Sequence, residues 1–169
     1  PTTGVKTTIK IIQDITTTTT TTIPNTKWVE LNIGTHTISS STSGVDMFTN
    51  NGKLDIINGT IIRTGAIASK KGYIFKNNTG AILNISGGSI TYDRSSETEA
   101  KPIESAGTVN ITGGELSCNS QAAVINANAG TLNVSGGRLI GNNTVKGQAI
   151  YNNGATTTIS GNAYLENNS

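Results

Sequence analysis

A short phrase recurs along the chain: an aliphatic residue, a polar one, a second aliphatic, then a small polar residue and glycine. It reads Leu54-Asp55-Ile56-Ile57-Asn58-Gly59, Leu83-Asn84-Ile85-Ser86-Gly87-Gly88, Val109-Asn110-Ile111-Thr112-Gly113-Gly114 and Leu132-Asn133-Val134-Ser135-Gly136-Gly137. Looser copies stand at Leu31-Asn32-Ile33-Gly34 and Thr157-Thr158-Ile159-Ser160-Gly161. Self-similarity at a period of a few tens of residues means that one structural unit is stacked on copies of itself. The steps between copies run from 23 to 29 residues, so the unit has constant strands and variable loops.

Aligning the phrases on their second aliphatic gives a column of Ile33, Ile56, Ile85, Ile111, Val134 and Ile159. Two residues earlier stand Leu31, Leu54, Leu83, Val109, Leu132 and Thr157; five residues later stand Ile38, Ile61, Ile90, Leu116, Leu139 and Tyr164. Alternate residues of a strand share a face, so the first two columns point inward together. The residue between them points outward: Asn32, Asp55, Asn84, Asn110, Asn133, Thr158. The glycines allow a corner, and the third column begins a second strand. A third strand lies upstream of each phrase, with Met47 or Phe48, Ile74, Ile103, Val124 and Ile150 as core candidates, and it closes on Asn- and Gly-rich turns. Three short strands and three corners per period predict an all-β, right-handed parallel β-helix, a solenoid of about six rungs spaced roughly 4.8 Å apart. Residues 1–169 read as one domain, with 31–169 as the rungs and 1–30 as an N-terminal strand and cap region, and as a piece of a larger protein. In that cap region Val5 to Ile15 and the run Thr16–Thr22 read as strand from their β-branched content, with Trp28 covering the open end of the coil.

The composition narrows the functions. Twelve Lys and Arg against ten Asp and Glu leave a net charge of +2, too little to point to nucleic acid as a partner. No apolar run approaches the roughly 20 residues that span a bilayer, so no membrane insertion is expected. Cys118 is the only cysteine and reads as a small buried hydrophobe. His36 is the only histidine, and one histidine makes no zinc site. Neither a cofactor nor a metal is implied.

The line Ile12-Gln13-Asp14-Ile15…Ile23-Pro24…Trp28-Val29-Glu30-Leu31-Asn32-Ile33…His36-Thr37-Ile38, with the later Ile150-Tyr151-Asn152-Asn153-Gly154 and Ile159-Ser160-Gly161-Asn162, resembles the pectate-lyase-like right-handed β-helix domains of large bacterial (Gram-positive-type) and archaeal surface proteins. The resemblance implies a secreted or cell-wall-attached protein, often an adhesin and sometimes a glycan-active enzyme. Enzymes on this fold need clustered carboxylates on one outward face, at separations set by the reaction. The outward column beside the anchor holds one, Asp55, among four Asn and a Thr, and an amide cannot act as acid or base. No catalytic residue is therefore assigned, and a non-catalytic adhesin-type module or stalk is expected. A polysaccharide lyase or glycoside hydrolase fragment with its active rungs elsewhere is the alternative.

Candidate ligand-binding residues come from loops and exposed aromatics. Asp93, Arg94, Glu97 and Glu99 form a dense charge cluster, read as a solvated loop or as a ligand site. Arg63, Lys70 and Lys71 are read as a second protruding loop, and Tyr151 as the aromatic best placed to stack on a sugar. A glycan or a host or cell-surface protein is the expected partner class, and an open final rung could also stack on another copy end to end.

Overall fold

The structure is a computed structural model that describes residues 4–65, 72–93, 101–119, 123–142 and 148–166. The first turn consists of β1 (Lys6–Lys10), β2 (Ile15–Thr16) and β3 (Thr21–Ile23), and the second of β4 (Trp28–Asn32), β5 (Thr37–Ser40) and β6 (Phe48–Asn50). The third holds β7 (Lys53–Ile56), β8 (Thr60–Arg63) and β9 (Phe75–Asn77), and the fourth β10 (Ile82–Ile85), β11 (Ser89–Tyr92) and β12 (Ile103–Ser105). The fifth has β13 (Thr108–Ile111), β14 (Glu115–Cys118) and β15 (Ile125–Ala127), and the sixth β16 (Thr131–Val134), β17 (Arg138–Ile140) and β18 (Ile150–Asn152). β19 (Thr156–Ile159) and β20 (Tyr164–Glu166) begin a seventh. Every strand pairs in parallel with the strand three places along the chain, which builds three sheets: sheet 1 from β1 to β19, sheet 2 from β2 to β20 and sheet 3 from β3 to β18. This is a parallel β-helix with three strands per rung. No helix occurs among the described residues, so none is long and apolar enough to cross a membrane.

The core is the stack of inward columns. In sheet 1, Leu54, Leu83, Val109 and Leu132 lie in register and fully buried, as do Ile56, Ile85, Ile111 and Val134. Sheet 2 contributes Ile38, Ile61, Ile90, Leu116 and Leu139. In sheet 3 the column is Phe48, Phe75, Ile103, Ile125 and Ile150, with the Phe48 and Phe75 rings stacked at 5.3 Å. The expected Ile74 and Val124 sit one place earlier, buried at the corner where the chain enters the strand. Polar residues also run inward there: Asn50 donates Nδ2–H to Asn77 Oδ1 at 2.9 Å, and Asn77 donates to Ser105 Oγ at 3.1 Å. Each satisfies a buried polar group that would otherwise destabilise the coil. Cys118 is buried in the inward column that also holds Ser40, Arg63 and Tyr92.

The first phrase is displaced by two residues from its sequence alignment. Leu31, not Ile33, pairs with Ile56, and Glu30, not Asn32, pairs with Asp55. Sheet 2 keeps the expected pairing of Ile38 with Ile61, so the extra length is absorbed in the corner. Ile33 is buried there against Gly59, and Asn58 bridges the corner by accepting the Gly34 N–H at 2.8 Å and donating to Asn32 Oδ1 at 2.9 Å.

The N-terminal region is a full rung and not one long strand. The threonine run is divided between β2 and β3; between them the Thr17 hydroxyl donates to the Thr19 carbonyl at 2.8 Å, a side-chain turn that needs neither Gly nor Pro. Val5, Ile9, Ile12 and Ile15 of this rung are exposed. Trp28 does not cover the open end of the coil but lies in the second rung, half-buried between Lys6 and Lys53 in register.

Candidate functional site

The register of sheet 1 keeps the expected outward column from Asp55 onward but puts Glu30 in place of Asn32 and adds Thr8, so that it reads Thr8, Glu30, Asp55, Asn84, Asn110, Asn133, Thr158. Two carboxylates thus stand on adjacent rungs, the arrangement that acid–base chemistry on a sheet face would use. Each of their four oxygens accepts a hydrogen bond. Glu30 Oε2 accepts from Lys6 Nζ at 2.7 Å and Oε1 from Thr8 Oγ1 at 2.9 Å. Asp55 Oδ2 accepts from Trp28 Nε1 and Oδ1 from Asn84 Nδ2, both at 2.6 Å. The hydrogen bond between Lys6 and Glu30 holds the Glu30 carboxyl below its ordinary range and the Lys6 ammonium above its own. Beyond Asp55 the amides continue the chain: Asn110 Nδ2 donates to Asn84 Oδ1, and Asn133 Nδ2 to Asn110 Oδ1, each at 2.8 Å. Four rungs are laced together by side chains that alternate as donor and acceptor.

Trp28 does not offer a ring face to a ligand. Lys53 Nζ lies 3.6 Å from the ring centroid and Lys6 Nζ 5.7 Å from it, so the rung neighbours on both sides contribute cation–π contacts.

Sheet 3 presents a second outward column: Thr22, Thr49, Lys76, Glu104, Asn126, Tyr151. Glu104 Oε2 accepts from Asn126 Nδ2 at 2.8 Å and from Lys101 Nζ at 3.3 Å, and Oε1 accepts from Asn128 Nδ2. Asn126 is buried, its Oδ1 has no hydrogen-bond partner, and the adjacent Tyr151 is 49% exposed. A carboxylate, two amides and an open aromatic ring therefore form one shelf. Of these, sequence reasoning found Tyr151 alone. Aligning the third strands Ile103-Glu104-Ser105, Ile125-Asn126-Ala127 and Ile150-Tyr151-Asn152 would have found Glu104 and Asn126, though not Asn128, which follows its strand.

Of the remaining sequence-predicted residues the structure describes Arg63 and Asp93, which meet through the main chain, the Asp93 N–H donating to the Arg63 carbonyl at 2.8 Å. Arg63 is not on a protruding loop: it ends β8, points inward and is fully buried. Its Nη2 donates to the Thr42 carbonyl at 2.5 Å and Nη1 to the Tyr73 carbonyl at 3.4 Å, and its guanidinium lies 6.0 Å from the Tyr92 ring centroid. Asp93 follows β11, exposed, and its Oδ1 accepts from Asn119 Nδ2 at 2.8 Å. Arg94, Glu97, Glu99, Lys70 and Lys71 lie outside the described residues. The scattered carboxylates serve corners: Asp14 Oδ1 accepts the Thr37 N–H at 2.9 Å and Asp46 Oδ1 the Tyr73 N–H at 2.9 Å. Among the described residues no three His, Cys, Asp or Glu side chains are grouped as metal ligands. Comparison with protein-family models, with curated proteins and with solved structures finds no match to this chain.

Proposed function

We propose that this chain is a non-catalytic, rod-like module of a secreted or cell-wall-attached surface protein of the pectate-lyase-like type, serving as an adhesin segment or stalk. The observation that carries this reading is the engagement of the Glu30–Asp55 pair: all four carboxylate oxygens accept hydrogen bonds from neighbouring rungs. Side chains committed to holding rungs together are poor candidates for moving protons. The shelf of Glu104, Asn126 and Tyr151 is the face best suited to a neutral glycan, because an exposed ring beside amides matches the apolar and hydroxyl faces of a sugar. The second reading, a polysaccharide-cleaving enzyme, draws on the same adjacency of Glu30 and Asp55.

Incubating the purified chain with a panel of neutral and uronic-acid polysaccharides, and screening it on a glycan array, separates the two. No new chain ends should appear, and any glycan retained should be lost in Tyr151→Ala. Turnover that disappears in both Glu30→Gln and Asp55→Asn, with folding intact, would establish the enzyme instead.

A further inference from the structure

We infer that Lys101, Glu104 and Asn126 form a self-acting cross-linking site, in which the Lys101 amine is joined to the Asn126 side chain by an amide bond and ammonia is released. This goes beyond the reading as a rod and holds whether or not the shelf on sheet 3 takes a glycan. Glu104 and Asn126 stand side by side in register on β12 and β15, in the middle of the coil, and Lys101 lies three residues before Glu104. Two nitrogens converge on one oxygen: Glu104 Oε2 accepts from Lys101 Nζ at 3.3 Å and from Asn126 Nδ2 at 2.8 Å. The nitrogens are no further apart than those two bonds laid end to end. The other oxygen, Oε1, accepts from Asn128 Nδ2, which holds the carboxylate in place. The Lys101 and Glu104 side chains are 18% and 19% exposed, and Asn126 is 5% exposed. Asn126 Nδ2 also donates to Asn128 Oδ1 at 3.1 Å, while Asn126 Oδ1 is buried with no hydrogen-bond partner. A buried amide oxygen left without a partner destabilises the fold, and this one belongs to the group that reacts.

An amine, a carboxylate and a side-chain amide are the complete set for this reaction. Glu104 takes a proton from Lys101 Nζ along their hydrogen bond, which leaves a neutral amine beside a carboxylic acid. The Nζ lone pair attacks Asn126 Cγ and forms the new C–N bond. Glu104 passes its proton to Nδ2, and the Cγ–Nδ2 bond breaks with its electron pair on the departing ammonia. A second Nζ proton passes through Glu104 to that ammonia, which leaves as ammonium, so Glu104 ends as the carboxylate it began as. No further reactant enters. The fixed register supplies the proximity that an uncatalysed reaction of amine with amide lacks. Lys6 and Glu30 make the corresponding pair on sheet 1, but the second donor to Glu30 is the Thr8 hydroxyl, and no side-chain amide is presented to that lysine. A carboxylate that only laces rungs differs in this respect from Glu104, whose two donors on one oxygen are the groups that react with each other. The product ties the fourth turn to the fifth by a covalent bond.

Intact-mass spectrometry of the purified chain is the test. The parent should weigh less than its sequence by one ammonia. Lys101→Arg keeps the charge and a hydrogen-bond donor but brings a guanidinium that stays protonated and is no nucleophile, so it should have the full sequence mass. Glu104→Gln should have the full mass as well, with circular dichroism matching the parent in both variants. Lys76→Ala removes the lysine in register on the other side of Glu104 and should leave the loss unchanged. Cleavage after glutamate puts Lys101 and Asn126 on separate peptides, since Glu104 and Glu115 lie between them, and the two should be recovered as one linked species. That link separates the cross-link from a succinimide at an Asn-Gly step, which loses the same mass without joining peptides. A folded parent at full sequence mass overturns the site. So does a loss that persists in Lys101→Arg or Glu104→Gln, a loss that vanishes in Lys76→Ala, or peptides that come apart after cleavage.

Discussion

Ile111→Asp is expected to unfold the middle of the coil, with a loss of at least about 4–5 kcal/mol in denaturant melts. Ile111 is fully buried, in register between Ile85 and Val134. A carboxylate there loses the apolar contacts of two rungs and is desolvated in a column that supplies only aliphatic neighbours. Whole domains of this size are stable by only about 5–15 kcal/mol, so the substitution removes a large share of the total. Because each rung is stabilised by its neighbours, the damage should spread from the fifth turn in both directions and appear as rapid amide exchange in β10, β13 and β16. A variant melting at the parent's midpoint would mean that Ile111 does not face the core.

The second large effect is expected at Gly114. Its φ is +86°, and a Cβ placed on it would lie 2.9 Å from the Gly88 carbonyl oxygen and 3.0 Å from the Gly87 carbonyl carbon. Both atoms are backbone of the rung below, so neither can swing aside. Gly114→Val therefore combines left-handed strain, about 1–2 kcal/mol for an L-residue, with forced separation of two rungs, and a total of about 3 kcal/mol or more is expected. Gly80 is the control. Its φ is +78° but nothing lies within 4 Å of a Cβ, so Gly80→Val should carry the conformational part alone. Equal losses for the two variants in urea titrations would mean that the corner glycines are conserved in conformation but not stacked.

These two positions mark how far the sequence can be read. Alternation and the glycine-closed corners are local signals, and they place Ile111 and Gly114 correctly without any knowledge of neighbours. The pairing of Glu30 with Asp55 is different. A slip of two residues keeps every side chain of a strand on the same face, since the side-chain period is two. Val29-Glu30-Leu31 and Leu31-Asn32-Ile33 are therefore equally good strands on the page, and only the longer corner around Ile33 selects the first. That single slip hid the one pair of adjacent carboxylates on the outward column of sheet 1. Arg63 was hidden by its chemistry. Alternation from the inward Ile61 puts it inside, but a guanidinium reads as surface until the Thr42 and Tyr73 carbonyls that receive it are seen. The bend within the threonine run rests on a Thr17 hydroxyl, and nothing in the composition of that run distinguishes it from strand.

Whether the outward column of sheet 1 holds the coil together or is free for chemistry turns on the bond from Asn84 Nδ2 to Asp55 Oδ1 at 2.6 Å. A double-mutant cycle on Asp55→Ala and Asn84→Ala, read as unfolding free energies, measures that tie directly. Two residues bonded across adjacent rungs should show a coupling of about 1 kcal/mol, within the roughly 0.5–3 kcal/mol typical of contacting pairs. Losses that simply add, to within about 0.3–0.5 kcal/mol, would contradict the structural role of the column and leave Asp55 available as a reacting group.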